Sequence, residues 1–264
     1  MHEQLSMMLF RKLGLVAPRE VYARLFINNE YAGLYSVVES VDKDFTGKNF
    51  LNDQGYLYKY DFNQTDEGYF FEYRTSNPAD YVPLPFKPET HEADPQANVI
   101  ERFVFTINNT ADSAFRGAIA EFMDMGELIK HVASEVYMAD RDGFLGDYGM
   151  NNYYLYRVPE NHLFHFVDWD KSEAFFSNDY DIFRNDADQP DYARNRLWKR
   201  VMAQPDLGTG LVFIGILFAM LFWAGTSWQV LLLAASPVIS LVLAFSTGLW
   251  GAWFLLLLRS EEHT

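Results

Sequence analysis

Residues 140–175 read DRDGFLGDYGMNNYYLYRVPENHLFHFVDWDKSEAF, and this stretch decides the fold. Two runs rich in aromatic and aliphatic residues predict strands over 153–157 and 163–167, joined by a turn at Pro159. An acidic loop, which contains Asp140, Asp142 and Asp147, precedes the first strand. A second acidic segment, the acidic turn with Asp168 and Asp170, follows the second strand. Because a tight hairpin brings its two ends together, carboxylate and amide oxygens from both clusters can meet on one divalent cation. The stretch therefore predicts a metal site at the open end of a hairpin.

The remainder of residues 1–206 mixes helical and strand patterns. Asn28 and Asn29 predict a tight turn between two strands, because Asn accepts positive φ at little cost. Residues 63–98, rich in Asp, Glu and Pro, predict an irregular excursion. The other patterns predict helices over 4–15, 111–123, 125–138 and 192–203, a helical turn over 41–45, and strands over 20–27, 31–38 and 55–61. We therefore expect an α+β fold.

Charge and cysteine content exclude several classes of function. The 264 residues include 21 Lys and Arg against 36 Asp and Glu, a formal net charge of −15. Such a balance disfavours nucleic acid as a partner, because neutralising phosphates requires clustered cations. The chain contains no cysteine, which excludes disulfides, thiolate catalysis and cysteine-based zinc sites.

Residues 207–258 contain no charged side chain. A helix needs about 20 apolar residues to cross a bilayer, so this length predicts a transmembrane helical hairpin with spans at roughly 211–228 and 230–258. Basic residues before the first span place both ends in the cytoplasm by the positive-inside rule, but this leaves the sidedness of the preceding domain unresolved if its substrate is extracytoplasmic. The tail over 259–264, RSEEHT, is what a common sequencing adapter encodes in this frame, and we treat it as a possible artefact.

Several ordered motifs resemble those of the spore-coat protein H (CotH) kinase-like family. The family has an aspartate loop, an Asn-Tyr-Tyr-Leu-Tyr strand, a Trp-Asp pair and an Ala-Phe pair, and earlier a hairpin ending in Gly-Leu-Tyr, a Glu, a Val-Asp pair and Gly-x-Leu-Tyr-Lys. These motifs correspond to Asp142, Asn152 to Tyr156, Trp169-Asp170 and Ala174-Phe175, and to Gly33 to Tyr35, Glu39, Val41-Asp42 and Gly55 to Lys59.

This resemblance implies a divergent, two-lobed protein-kinase-like fold over residues 1–206. The family domain normally extends beyond both ends of this range, so we expect a partial, N-terminally incomplete domain. Two positions depart from the family pattern. Asn29 stands where the hairpin usually has Gly, a mild change because both residues accept a left-handed conformation. Ser172 stands where a second Asp usually follows the acidic motif.

The resemblance also implies the roles of the acidic residues. Asp142 is the candidate for the catalytic Asp that receives the acceptor's proton. Asp147 competes for this role, because it lies five residues before Asn152, the spacing of the general kinase catalytic loop. Asn152 and Asp170 are the candidate ligands of Mg²⁺ or Mn²⁺. Asp168 is the alternative ligand, since strand alternation predicts the same face for it as for Asp170.

Lys59 is the candidate contact to the phosphates of ATP, and Glu39 could orient it, although kinases usually place this Glu after the Lys. His162 and His165 are interpreted as structural, because no third ligand lies at zinc spacing.

Two functions are compatible with this pattern. The first is a CotH-like atypical kinase that moves the γ-phosphoryl group of ATP to Ser or Thr of a protein substrate, possibly a coat or cell-surface protein. The alternative is an inactive pseudokinase or a surface or coat interaction module, which Ser172 and the incomplete domain favour. Either protein would be located in the cell envelope or spore coat and would contact the membrane through residues 207–258.

Overall fold

The computed structural model describes residues 2–61, 69–146, 150–177 and 195–203. Its architecture is α+β with two antiparallel sheets. The elements run α1 (His2–Lys12), β1 (Glu20–Ile27), β2 (Glu30–Val38), α2 (Lys43–Phe50), β3 (Tyr56–Tyr60), β4 (Phe86–Pro88), α3 (Ala97–Asn109), α4 (Asp112–Ile119), α5 (Met125–Tyr137), β5 (Tyr153–Arg157), β6 (Phe164–Asp168) and α6 (Arg196–Met202).

The larger sheet has the strand order β4-β3-β5-β6. Strands β5 and β6 form the predicted hairpin, which is confirmed, and Tyr153 pairs with Asp168 at its open end. On the other side of β5, Lys59 of β3 pairs with Tyr154. The acidic loop before Tyr153 and the acidic turn after Asp168 are therefore brought to one edge of the sheet.

The two faces of this sheet are covered by different elements. One face packs Leu57, Tyr154 and Val167 against Val41 and Phe45 at the start of α2. On the opposite face, aromatic rings stack across the sheet and reach α3, α5 and the acidic loop; they include Tyr60, Tyr153, Phe166, Phe103, Phe144 and His131. Lys59 pairs with Tyr154 and Asp168 pairs with the next residue, Tyr153. Because successive residues of a strand alternate between faces, Lys59 and Asp168 lie on opposite faces of the sheet.

Strands β1 and β2 form a separate two-stranded ribbon. Its turn is made by Asn28 and Asn29 at φ 52° and 69°, as the sequence predicts. Most of its side chains are exposed on both faces, including Phe26 at 56% and Leu34 at 63%. An isolated hairpin is marginally stable in water, so its attachment to α1 through the Gln4 side chain, which donates to the Glu20 carbonyl oxygen, matters for its position.

Helix α3 was not predicted, because local start signals are missing. Its N-cap residue, Gln96, is left-handed and provides no capping hydrogen bond. The core-facing residues nevertheless recur at helical spacing, with Ile100, Phe103, Val104 and Ile107 all buried. The preceding Asp-Pro pair and the irregular composition upstream concealed this period.

The predicted fold class requires a correction. None of the helices in the described part of the chain is long and apolar enough to cross a membrane. The C-terminal transmembrane helical hairpin is therefore not supported, and residues 207–258, where it was predicted, lie outside the described residues. All described residues belong to one compact unit, which covers residues 1–205. The corrected class is α+β with two sheets.

Candidate functional site

The open end of the hairpin holds an aspartate that binds two side-chain amides. The Asn152 Nδ2 atom donates to the Asp142 carbonyl oxygen and to Asp142 Oδ2, both at 2.9 Å. The Asn151 Nδ2 atom donates to Asp142 Oδ1 at 3.0 Å. Asn152 is left-handed, with φ 57°, which turns the chain from the acidic loop into β5. Because its nitrogen is used by Asp142, the amide oxygen of Asn152 is the atom suited to bind a cation.

Asp170 is brought to the same end of the hairpin. The Trp169 N–H donates to the Asn152 carbonyl oxygen at 3.1 Å, which ties the turn after β6 to the residue before β5. Asp170 has φ 38° and its Oδ1 accepts the Ser172 N–H at 3.4 Å. The structure therefore brings together three of the predicted residues, Asp142, Asn152 and Asp170.

Electrostatics support this proximity. Burial raises the pKa of the Asp142 carboxyl, the amide hydrogen bonds oppose the shift, and the charges of Asp140 and Asp170 add to it. Burial likewise raises the pKa of Glu3 on α1, and the charges of Glu20 and Asp170 raise it further. Carboxylates that raise one another's pKa by charge repulsion form a negative surface, which favours binding of a divalent cation.

Beside this surface lies a buried cluster centred on Lys171. The Lys171 Nζ atom is 2.5 Å from Glu135 Oε1, 3.1 Å from Asp140 Oδ2 and 3.5 Å from Asp168 Oδ1. His131 Nδ1 lies 3.3 Å from Asp168 Oδ1. All five side chains are buried. We call these residues, His131, Glu135, Asp140, Asp168 and Lys171, the Lys171 cluster.

The ammonium group is the cation of the Lys171 cluster. Burial alone lowers the pKa of Lys171, but Glu135, Asp140 and Asp168 together raise it well above its ordinary value. Burial raises the pKa of Asp140 to about 6 despite the neighbouring ammonium. His131, Glu135 and Asp168 are spaced so that they could also hold a metal ion, their ligand atoms all lying within 4.8 Å of one another. Lys171 contacts two of these three residues, Glu135 and Asp168, so Asp168 belongs to an internal ion-pair network.

Lys59, the predicted phosphate contact, and Glu39, which was expected to orient it, are not brought together. The Lys59 Nζ atom lies 5.9 Å from the centre of the Tyr154 ring, on the face of the sheet that carries Trp169. The Glu39 carboxylate instead accepts from Arg19 Nε and Nη2 at 3.0 and 2.6 Å. It also lies 3.8 Å from Lys48 Nζ. Among the ion pairs of the described residues, none joins Glu39 to Lys59.

Three further predicted positions need separate mention. Asp147 lies outside the described residues. His162 is exposed in the turn of the hairpin, and His165 Nδ1 contacts Glu127 Oε2 at 2.7 Å. Ser172 is exposed immediately after the acidic turn.

Sequence reasoning missed most of the Lys171 cluster, although one signal was present. His131 and Glu135 are one helical turn apart on the apolar face of α5, next to Leu128 and Val132. A charged pair on a buried face requires a partner, because an unpaired buried charge is strongly unfavourable. That pattern could have directed attention to a buried lysine.

Two comparisons with known proteins found similar sequences. Residues 1–211 match the family model described as CotH kinase protein. Inner spore coat protein H of Bacillus subtilis (strain 168) is 28% identical over 177 residues, which are 64% of this chain and 45% of that protein. The chain therefore spans less than half the length of this relative.

Proposed function

Because the chain belongs to the CotH kinase family, we propose that it is an atypical protein kinase that transfers the γ-phosphoryl group of ATP to a Ser or Thr hydroxyl of another protein. The observation that carries this proposal is the convergence of Asp142, Asn152 and Asp170 at the open end of the hairpin. Kinase chemistry consists mostly of positioning and charge neutralisation, and these oxygen-rich residues suit both tasks.

The metal in this proposal is Mg²⁺ or Mn²⁺. The amide oxygen of Asn152 and the carboxylate of Asp170 are hard oxygen donors, the type that these ions prefer. When bound, the ion would neutralise the charge of the ATP phosphates. Asp142 holds the Asn152 amide by its nitrogen and so presents the oxygen to the metal.

Asp142 is also a candidate for the proton acceptor. In the proposed reaction the acceptor hydroxyl oxygen forms a bond to the γ-phosphorus, the bond from that phosphorus to ADP breaks, and a carboxylate takes the hydroxyl proton. Asp142 has two oxygens at the edge of the site, each already accepting one amide hydrogen bond. Asp147 remains the second candidate for this step.

Lys59 is proposed to contact the phosphates. Its ammonium lies over Tyr154, whose ring packs edge-on against Trp169 at 5.8 Å, directly before Asp170. The Lys59 ammonium therefore lies on the same face of the sheet as Trp169, the neighbour in the chain of the proposed metal ligand Asp170. Glu39 is engaged by Arg19, so we propose no role for it in the reaction.

A second candidate function is a non-catalytic component of the spore coat. Ser172 favours it, since an exposed hydroxyl stands where the family usually has another carboxylate. The relative's description as an inner spore coat protein also favours a location in the coat. Under this alternative the fold would be retained for binding other coat proteins.

Phosphate transfer from radiolabelled ATP in the presence of Mn²⁺ separates the two functions. We expect the wild-type chain to label a protein acceptor and Asp170→Ala to lose this activity. Asp44→Ala, the same change at an exposed position of α2, is the matched control and should keep it. Equal labelling by the wild type and Asp170→Ala would remove the kinase proposal, and a folded wild type without any transfer would favour the coat component.

A further inference from the structure

Lys171 contacts or adjoins each segment that carries one of the three converging residues, Asp142, Asn152 and Asp170. Its side chain reaches Glu135 on α5, Asp140 in the acidic loop and Asp168 at the end of β6. The same Nζ atom donates to the Asn152 carbonyl oxygen at 3.4 Å. In the chain, Lys171 directly follows Asp170.

The carboxylates around Lys171 in turn hold the backbone of the acidic loop. Asp140 Oδ1 accepts the Asp142 N–H at 3.2 Å, and Glu135 Oε2 accepts the Phe144 N–H at 2.8 Å. Asp142 then holds Asn152 through its carboxylate. A continuous chain of contacts therefore runs from the ammonium to Asn152, and the other proposed metal ligand, Asp170, is the residue directly before Lys171.

The cluster is closed on its other sides. The Phe10 ring of α1 lies 5.8 Å from Lys171 Nζ and 5.9 Å from the centre of the His131 ring, which it stacks on. The opposite face of His131 stacks on Phe166 at 5.0 Å. Lys171 is fully buried, at 0% exposure, so neither solvent nor a substrate reaches its ammonium. It cannot take part in the reaction directly.

We infer that Lys171 is a positioning residue that fixes the Asp142–Asn152 pair relative to the Asp170 turn. This inference rests on the proposed function, because that function requires Asp142, Asn152 and Asp170 to be held at one site. Its physical basis is that one buried cation holds three carboxylates from separate segments at a common point. Without that cation the carboxylates repel one another, and the acidic loop moves away from the turn after β6.

The test uses the full chain and the variant Lys171→Met, which keeps the length of the side chain and removes its charge. The matched control is Lys130→Met, the same change at an exposed position of α5. Transfer is measured against Mn²⁺ concentration at a temperature where circular dichroism shows each protein fully folded. We expect Lys171→Met to need about 10–100 times more Mn²⁺ than the wild type for half-maximal transfer, the range typical of residues that orient metal ligands. Lys130→Met should need the same Mn²⁺ concentration as the wild type.

Amide hydrogen exchange provides a readout that is independent of activity. In Lys171→Met the N–H groups of Asp142 and Phe144 should exchange faster, while the protection of α3 stays as in the wild type. If Lys171→Met fails to fold, Lys171→Met combined with Asp168→Asn removes one of the uncompensated charges without changing a side chain that accepts from the acidic-loop backbone, and the same exchange pattern is expected in that variant.

The outcomes separate the two levels of the proposal. An unchanged Mn²⁺ requirement, or exchange that increases uniformly in α3 and the acidic loop, would show a merely structural lysine and overturn the inference. A wild type that transfers no phosphate would remove the proposed function, whereas the exchange data would still show whether Lys171 holds the acidic loop.

Discussion

Asn152 offers a graded test of the geometry at the open end of the hairpin. Asn152→Gly removes both hydrogen bonds to Asp142, each 2.9 Å long, while glycine accepts the φ of 57° without strain. One of these bonds goes to a charged carboxylate and the other to a carbonyl at a half-buried position, so we expect a loss of about 2 kcal/mol. Asn152→Ala loses the same bonds and must also hold a left-handed backbone, which adds about 1 kcal/mol.

Asn151→Ala is the matched control at the neighbouring position. It removes one hydrogen bond to Asp142, and we expect it to cost about 1 kcal/mol. For a chain of this size each kcal/mol lowers the melting temperature by about 2–4 °C. Thermal unfolding followed by circular dichroism should therefore rank the proteins wild type, Asn151→Ala, Asn152→Gly and Asn152→Ala, from most to least stable. The reasoning is refuted if Asn152→Gly melts with the wild type, or if Asn152→Ala is no less stable than Asn152→Gly.

Two further predictions concern stability. A Cβ on Gly143 would lie 2.6 Å from both Asp140 Oδ2 and Glu135 Oε1, so Gly143→Ala should lower the free energy of unfolding by about 2 kcal/mol. Gly117→Ala in α4, where a Cβ would meet nothing within 4 Å, should instead raise it by about 0.5–1 kcal/mol. Urea unfolding midpoints measure both changes. The hydrogen bond from Arg19 lowers the pKa of Glu39, so this pair stabilises the fold above the ordinary carboxyl pKa and loses its contribution as the pH falls. Glu39→Gln should therefore be slightly less stable than the wild type at neutral pH, by less than about 1 kcal/mol because the arginine of the pair is exposed to solvent, and the difference should vanish in acid. A difference that persists in acid would contradict the assignment.

The hairpins were predictable because their signals are local. Alternating side chains and the turn residues predicted β5 and β6, and Asn28 and Asn29 predicted the turn between β1 and β2. Helix α3 was missed because its N-terminus carries no capping side chain, and its burial depends on aromatic residues far away in the chain. Local signals thus identify elements whose ends are formed by neighbouring residues.

The site was predictable in part for the same reason. Asp142, Asn152 and Asp170 flank one hairpin, so their proximity follows from its pairing. The prediction that Asp168 shares a face with Asp170 assumed that alternation continues, but β6 ends at Asp168 and Asp170 has a left-handed backbone. The partner of Asp168, Lys171, could not be identified from spacing, because its burial requires α1 and α5 to pack around it.

The packing of Phe10 against Lys171 also determines when the site can form during synthesis. Helix α1 leaves the ribosome long before Lys171 does, and the carboxylates of α5 and the acidic loop also emerge ahead of the ammonium that they contact. Contacts between distant parts of a chain form slowly, because loop closure must precede them. We therefore expect the β1–β2 ribbon, whose strands are neighbours in the chain, to form first, and the charged centre to be completed among the last parts of the fold.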